Sequence, residues 1–595
     1  MEPGSFYGRG TKRKAVSQQN PIVPMESDDD SDSLSEFEAT IGSDYSDSEM
    51  DSSEYDEISS DENNETSQDE MEVDEPMNHP SDLGNVDWGL VSVSERQYVY
   101  TDEEKILEEP CVDNEDGVVQ PIDVYNMFVT NEIISFIVEQ TNLYAQQTIN
   151  SRTLTRKSRL KKWVPTNTEE LRKFIGLVIA MGLNHKPSID KYWSNLSIYE
   201  QNFFPKVMSR DRFLLILRFI HFNDNDSLST SDKLHKIRPL ITHCSQKFKS
   251  VYNPGEKFVI DESLMPFRGR LGFRQYIPNK THKYGVKFYK LCSPNSYTWN
   301  FDIYQGRMSR EASFNHSESI VLQLSADILD RGCIIYGDNY YSSIPLAKRL
   351  LQRKTYYCGT LRKNRRGIPN TIKSAKLKKG EIISAMNEDN IKLYCWKDQR
   401  DVHMLSTVPE HGDDLCDTGK KTRSGVAMKK PKCIIDYNET KKGVDMSDQL
   451  AAYNTSLRKS TKWYRKVAFE LLTATCVVNS FVLYNKYFCQ TKKKLKITEF
   501  KENITMSLTG TAICESTSLS SKRATKSKIE GPRTNHQLIE NKKIRKRCVF
   551  CYEQIKLNEG LKMARNRTRR VHTFCDDCAE KPFICVSCFN TKHTG

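Results

Sequence analysis

Lys257-Phe258-Val259-Ile260-Asp261-Glu262-Ser263, followed by Leu264-Met265-Pro266-Phe267-Arg268-Gly269-Arg270, reads as a strand that ends in an acid. Three apolar residues, β-branched or aromatic, run straight into a carboxylate, which is how a buried strand delivers an acid to the rim of a sheet. Cys333-Ile334-Ile335-Tyr336-Gly337-Asp338-Asn339 repeats the pattern. A third pair of acids, Asp445 and Asp448, lies in Lys442-Gly443-Val444-Asp445-Met446-Ser447-Asp448-Gln449. If that segment is helical, a spacing of three puts both on one face. Acids converging from two strand ends and a helix suit two hard divalent cations with oxygen ligands, the arrangement that handles phosphodiester displacement.

One Asp at a strand end is more often a turn former or a cap, so the surrounding residues decide. Ile260-Asp261-Glu262-Ser263 with Phe267-Arg268-Gly269-Arg270, Gly337-Asp338-Asn339-Tyr340-Tyr341-Ser342-Ser343-Ile344-Pro345-Leu346, and Tyr437-Asn438-Glu439-Thr440 running on to Gln449 closely resemble the three signature blocks of the piggyBac family of DNA transposases. The resemblance runs from about Ile122 to the C-terminus. It implies a multidomain α+β chain with a ribonuclease-H-like catalytic core, a β insertion, a split helical domain for DNA binding and dimerisation, and a C-terminal cross-brace zinc finger.

Charge is distributed unevenly. Of the chain's 595 residues, 26–109 hold 30 Asp and Glu against 2 Lys and Arg. The remainder carries 86 basic against 48 acidic residues, as expected of a surface that meets a polyanion. The N-terminus is polar and lacks the apolar segment of a secretory signal. The long apolar run 467–484 contains Glu470, Asn479 and Ser480, so a buried helix is expected rather than a membrane span. Seventeen cysteines then read as reduced thiols or metal ligands.

Taken in order, residues 1–110 read as a disordered acidic tail with too little apolar surface to offset the entropy of ordering. That tail is either a solubilising segment or a competitor of DNA for the basic surface. Residues 111–255 carry helical periodicity, with Asn167 and Ser209 as N-caps, and form the first part of the helical domain. The core is expected at 256–363, a β insertion domain at 364–428, and the second part of the core at 429–450. The insertion could clamp flanking DNA or be a structural meander. Residues 451–500 return to helix, 501–545 read as a flexible basic linker, and 546–595 as a cysteine-rich zinc domain.

In the second helical part, Arg458, Lys459 and Lys462 precede Trp463. Cations beside an aromatic suit an unpaired base, and Trp463 equally suits a core anchor. Arg268, Arg270 and Lys283 flank the first acid and could neutralise phosphates. Near the C-terminus, Cys548 and Cys551, Cys575 and Cys578, and Cys585 and Cys588 form three pairs at zinc-ligand spacing. With His593 and one further ligand, for which His572 is the nearest candidate, they make two structural Zn²⁺ sites.

The resemblance further implies a Mg-dependent enzyme that binds terminal repeats in double-stranded DNA, excises the element through hairpin ends and integrates it at TTAA. Asp261, Asp338 and Asp445 would hold two Mg²⁺, replaceable by Mn²⁺, with Asp448 assisting. Acting on two ends implies a homodimer or higher oligomer, and the basic run Lys542-Lys543-Ile544-Arg545-Lys546-Arg547 suits DNA or an import receptor as partner, with a nuclear location and no membrane expected. The alternative is a domesticated, catalytically idle DNA-binding protein that keeps the fold.

Overall fold

The run at 257–260 forms the inner end of a ten-residue strand, β1 (Lys257–Pro266), in which Phe258, Val259 and Ile260 are buried. The computed structural model describes residues 87–511 and 537–593, apart from 113–115, 152, 155, 157, 227–231, 279, 281, 307–314, 422–424, 426, 461, 491–492, 542–543, 577 and 579–580. The chain divides into two units, Met1–Ile513 and Cys514–Gly595.

The first unit is built on a ten-stranded mixed sheet. β2 (Tyr284–Cys292) and β3 (Thr298–Ile303) continue antiparallel from β1. A helix, α1 (His316–Ser325), then leads to β4 (Ile334–Gly337), which lies parallel beside β1. β5 (Tyr356–Thr360) is parallel to β4. All four residues of β4 are buried, the apolar signature of a strand covered on both faces.

Beyond β5 the sheet continues. β6 (Ile382–Asn387), β7 (Lys392–Lys397) and β8 (Asp401–Ser406) are antiparallel, and β8 pairs with β5. The three strand-like runs expected of a separate insertion domain at 364–428 are therefore strands of the central sheet, joined to it by main-chain pairing of Met404–Ser406 with Cys358–Thr360. Among the described residues, the hairpin of Leu415–Lys421 and Ala427–Pro431 forms a separate two-stranded sheet.

Further helices pack on one another beside the sheet. Asn167 caps Thr168–Leu183 by accepting from Glu170 N at 2.8 Å, and Ser209 caps Arg210–Phe219 by accepting from Arg212 N, as their side-chain oxygens predict. Helix Trp463–Phe488, long and apolar enough to cross a membrane, is instead the core helix, with 72% of its apolar window buried. Its interior asparagine explains the docking. The Asn479 side chain donates to Thr298 O and accepts from Thr298 N, both at 2.8 Å, so one amide satisfies both backbone groups at the start of β3.

Two boundaries differ from the sequence expectation. Residues 87–110 do not belong to the acidic tail. Trp88–Gly89 pairs with β6, and Lys105–Ile106 pairs with Tyr252–Asn253. Between them Arg96 bridges Glu256 at 2.7 Å and also Glu410, while Tyr98 N donates to Tyr356 Oη. The aromatic and backbone contacts of this strap outweigh its acidic composition. The tail before residue 87 lies outside the described residues.

The expected linker at 501–545 also begins too early. Helix Ile497–Thr509 ends only at Gly510, which adopts φ 65°, the left-handed cap that glycine accepts without strain. It packs on Thr168–Leu183 at Gly176, where a Cβ would lie 2.9 Å from Thr509 Cγ2. Lys542 and Lys543 lie outside the described residues.

In the second unit, Leu538–Glu540 pairs with Thr573–Cys575 and Lys546–Arg547 with Arg570–Val571. Among the described residues its buried apolar cluster holds Cys548, Cys575, Ile584 and Phe589, a small core for a fold without a staple.

Arg96→Ala should test the strap. Losing two half-buried ion pairs should cost about 1–2 kcal/mol in chemical denaturation, with amide exchange rising first at 87–106.

Candidate active site

The site follows from strand register. Ile260 of β1 is paired with Gly337 of β4, so Asp338, just past the end of β4, stands beside Asp261, which lies within β1 because that strand runs on to Pro266 rather than ending in the acid. Neighbouring strands lie about 4.8 Å apart. Asp261 accepts from Glu262 N at 2.7 Å, and Asp338 accepts from Tyr340 N at 2.9 Å.

The loop after Asp338 is wedged in place. Ser342 Oγ meets Asp338 O at 2.9 Å and Tyr357 Oη at 2.8 Å. A Cβ on Gly337 would lie 2.4 Å from Tyr357 Oη, and one on Gly359 would lie 2.4 Å from Gly337 O. Ser343 then caps the next helix, α2 (Ile344–Gln352), and donates to the buried Glu318 at 2.6 Å.

The third acid arrives on α3 (Lys442–Ala452). This helix approaches the sheet so closely that a Cβ on Gly443 would lie 2.5 Å from Ser293 O and 2.6 Å from Val259 Cγ1. Ser447 Oγ adds a hydrogen bond to Thr298 Oγ1 at 3.2 Å. Asp445 as a residue is exposed, but its carboxyl is partly enclosed by the groups around it. Asp448, one turn on, accepts from the buried Lys290 at 2.7 Å.

The electrostatics are those of crowded acids. Burial, then the charges of Glu262 and Asp338, hold the Asp261 carboxyl well above the usual range. Burial and then Glu262 push Asp338 up to about 6. Burial also raises Asp445, against the pull of Lys280. The three carboxylates do not close to the spacing of a preformed cage. Their oxygen chemistry fits hard divalent cations, whose charge would offset the repulsion and draw the carboxylates in.

Two residues facing this well were passed over in the sequence. Glu262 contributes to the raised carboxyls of Asp261 and Asp338, and its Oε2 is buried without a hydrogen-bond partner. Lys280 is a cation acting on Asp261 and Asp445. Adjacency to Asp261 was a signal for the first; nothing local singles out the second.

Of the candidate DNA contacts, Arg268, Arg270 and Lys283 are exposed around the turn after β1. Arg274 ties that turn by donating to Arg268 O and Gly269 O, each at 3.0 Å. Trp463 is half-buried and meets Phe273 edge-on, centroids 5.2 Å apart. The turn and the second basic segment are thus neighbours. Lys459 is exposed and Lys462 half-buried. Arg458 is engaged internally, donating to Lys186 O and Tyr192 Oη.

In the second unit, the Sγ atoms of Cys548, Cys551, Cys585 and Cys588 all lie within 4.8 Å of one another. Four thiolates at that spacing fit tetrahedral Zn²⁺. The first and third sequence pairs make this site. Cys575 and Cys578 lie outside it, His572 Nδ1 meets Asn541 O at 3.2 Å, and the His593 side chain lies outside the described residues.

Comparison with known proteins gives concordant matches. Residues 120–481 fit a family model described as Transposase IS4. The human PiggyBac transposable element-derived protein 3 is 25% identical over 402 residues, covering 64% of this chain and 64% of the relative. Its human counterpart protein 2 is 25% identical over 452 residues, covering 73% of each. The matched stretch thus spans just under two thirds of the first relative's length. A solved piggyBac transposase synaptic complex with hairpin DNA has a similar fold, with TM-score 0.57 and 31% identity over 66% of this chain and 80% of that one.

Two outcomes are expected. The raised Asp338 carboxyl means that its ionised form costs stability: the cost is absent below about pH 4, grows through about pH 6 and is full above it. In chelator at pH 7.5, Asp338→Asn should therefore gain about 1–3 kcal/mol, a gain that vanishes near pH 4 in denaturation experiments. Separately, Cys551→Ser should reduce bound zinc by elemental analysis and expose the amides of 548–593 to exchange, because a metal held by the four thiolates would supply much of the folding energy of so small a fold.

Proposed function

Since the chain belongs to the IS4/piggyBac-type transposase family, we propose that it is a cut-and-paste DNA transposase with a ribonuclease-H-like core. The observation that carries the reading is the acidic well: Asp261 and Asp338 on paired parallel strands and Asp445 on a helix held against them at Gly443. The strand order β3-β2-β1-β4-β5, with β1, β4 and β5 parallel, supports the core assignment.

Asp261, Asp338 and Asp445 are the residues that would hold two Mg²⁺, with Asp448 beside them. When bound, the ions supply activation of the attacking oxygen and stabilisation of the leaving one. The protein's own part is to position and to neutralise. The Tyr340 N–H and the wedged loop after Asp338 fix one carboxylate. The close packing at Gly443 fixes the helix that carries another. Arg268, Arg270, Lys283, Lys459 and Lys462 offer charge to phosphates on either side of the Phe273–Trp463 contact.

In this reading the enzyme binds terminal repeats of double-stranded DNA, nicks the element ends, forms hairpins and joins the element to TTAA. Acting on two ends implies a homodimer or larger assembly. The location is the nucleus, with the basic segment at 542–547 as an import signal. The zinc unit would hold Zn²⁺ at Cys548, Cys551, Cys585 and Cys588, and a second ion at His572, Cys575, Cys578 and His593. A second reading, a catalytically idle DNA-binding protein, is favoured by one observation: the human relatives are named as transposable element-derived.

An excision assay separates the two. With a reporter interrupted by an element bearing the ends that flank this gene, the wild type should restore the reporter without a scar, and Asp261→Asn should abolish excision. Binding of those ends without excision by the wild type would favour the idle binder.

A further inference from the structure

Lys290 of β2 is paired directly opposite Asp261 of β1. Residues so paired leave the same face of a sheet, with Cβ atoms about 5 Å apart. A lysine buried there would be expected to close on that carboxylate, because an unpaired ammonium in the interior is costly. It does not. Lys290 is 3% exposed and its Nζ donates to Asp448 Oδ1 at 2.7 Å. Among the described residues no ion pair joins it to Asp261. The charge of Glu470, on the core helix Trp463–Phe488, reinforces the pull of Asp448.

The placement of Asp448 matters for the acids around it. It stands one turn after Asp445 on α3, a helix already fixed by the contact of Gly443 with Ser293 and Val259 and by the Ser447–Thr298 hydrogen bond. Its carboxylate therefore meets Lys290 from a rigid element. An ammonium at the Asp261 carboxylate would occupy the position a divalent cation must take, and its attraction to the carboxylate would oppose the cation's entry.

We propose that Asp448 is a positioning residue and not a metal ligand: it is the counter-ion that holds Lys290 away from Asp261 and so keeps Asp261 open to a divalent cation. This rests on the reading of Asp261 as a metal ligand. It gives the two acids of α3 different duties, Asp445 toward the cation and Asp448 toward the lysine. It also explains why a positive charge is tolerated directly beside Asp261.

The test is Mn²⁺ binding to the full-length protein without DNA, followed by the electron paramagnetic resonance of the free ion, with folding checked by circular dichroism. Asp448→Asn should weaken Mn²⁺ about tenfold by freeing Lys290 to reach Asp261. Asp448→Glu, which keeps the counter-charge, should stay near wild type. The double variant Asp448→Asn with Lys290→Met should recover to within about threefold of wild type, since competitor and counter-ion are both gone.

A ligand role for Asp448 predicts the opposite, a double variant as weak as Asp448→Asn, and that result overturns the proposal. Unchanged binding in Asp448→Asn overturns it as well. Asp261→Asn is the control for the underlying reading. If it leaves Mn²⁺ binding intact, the assignment of the acidic well fails first and this inference with it.

Discussion

The contact of Gly443 with the sheet is the constraint on which the site depends. Ser293 O and Val259 Cγ1 occupy the space a side chain at 443 would need, so only a glycine lets α3 settle at this distance. The approach sets Asp445 among the same charged neighbours, Glu262 and Lys280, that act on Asp261. Nothing in three buried carboxylates would hold them together: burial raises all three, and the charge of Glu262 adds to it in each, with that of Asp338 also felt at Asp261. Backbone packing, the Ser447–Thr298 bond and the Asn479 amide on Thr298 supply that hold instead. Stability generated by close packing is thus set against local repulsion, as in many sites arranged for an ion or a substrate.

The same site shows what can be read from a sequence. β1 and β4 were legible because a strand buried on both faces must be an apolar run, and the acids that end those runs followed directly. The caps at Asn167 and Ser209 were legible for a similarly local reason. Strand pairing is not local. β6 to β8 read correctly as strands, but the pairing of β8 with β5 that merges them into the central sheet connects segments whose sequences give no sign of each other. The strap at 87–110 was lost in the acidity of the residues before it, although Trp88, Tyr98 and Tyr100 marked it as able to pack. Helix Ile497–Thr509 was lost for the opposite reason. Its buried face, including Phe500, Ile504 and Leu508, gives way within a few residues to a Ser, Thr and Lys rich stretch, and the helix was cut at that change of composition.

In the C-terminal unit the cysteine spacing announced ligands but not partners. Two of the three pairs, 548–551 and 585–588, meet although some thirty residues separate them. The small strand pairings at Leu538–Glu540 and Lys546–Arg547 frame that meeting. Which pair joins which is a property of chain path, and spacing of two residues within a pair carries no information about it.

Buried lysines show how finely the interior discriminates. Lys392 donates to the carbonyls of Val408, Pro409 and His411, and Lys501 to that of Asn454. In both, burial lowers the ammonium pKa to about 8. Neutral carbonyl oxygens satisfy the hydrogens without restoring the charge's lost hydration. Lys290 is as buried, yet its pKa is raised, because the cost of burial is more than offset by Asp448 and Glu470. A fixed positive charge beside a carboxylate proposed to hold a cation is tolerable only if something else claims it. The second acid of the helix does so from a position three residues beyond the first, and the three-residue spacing that places both acids on one face of α3 lets one helix carry both an acid for the well and an acid for the lysine.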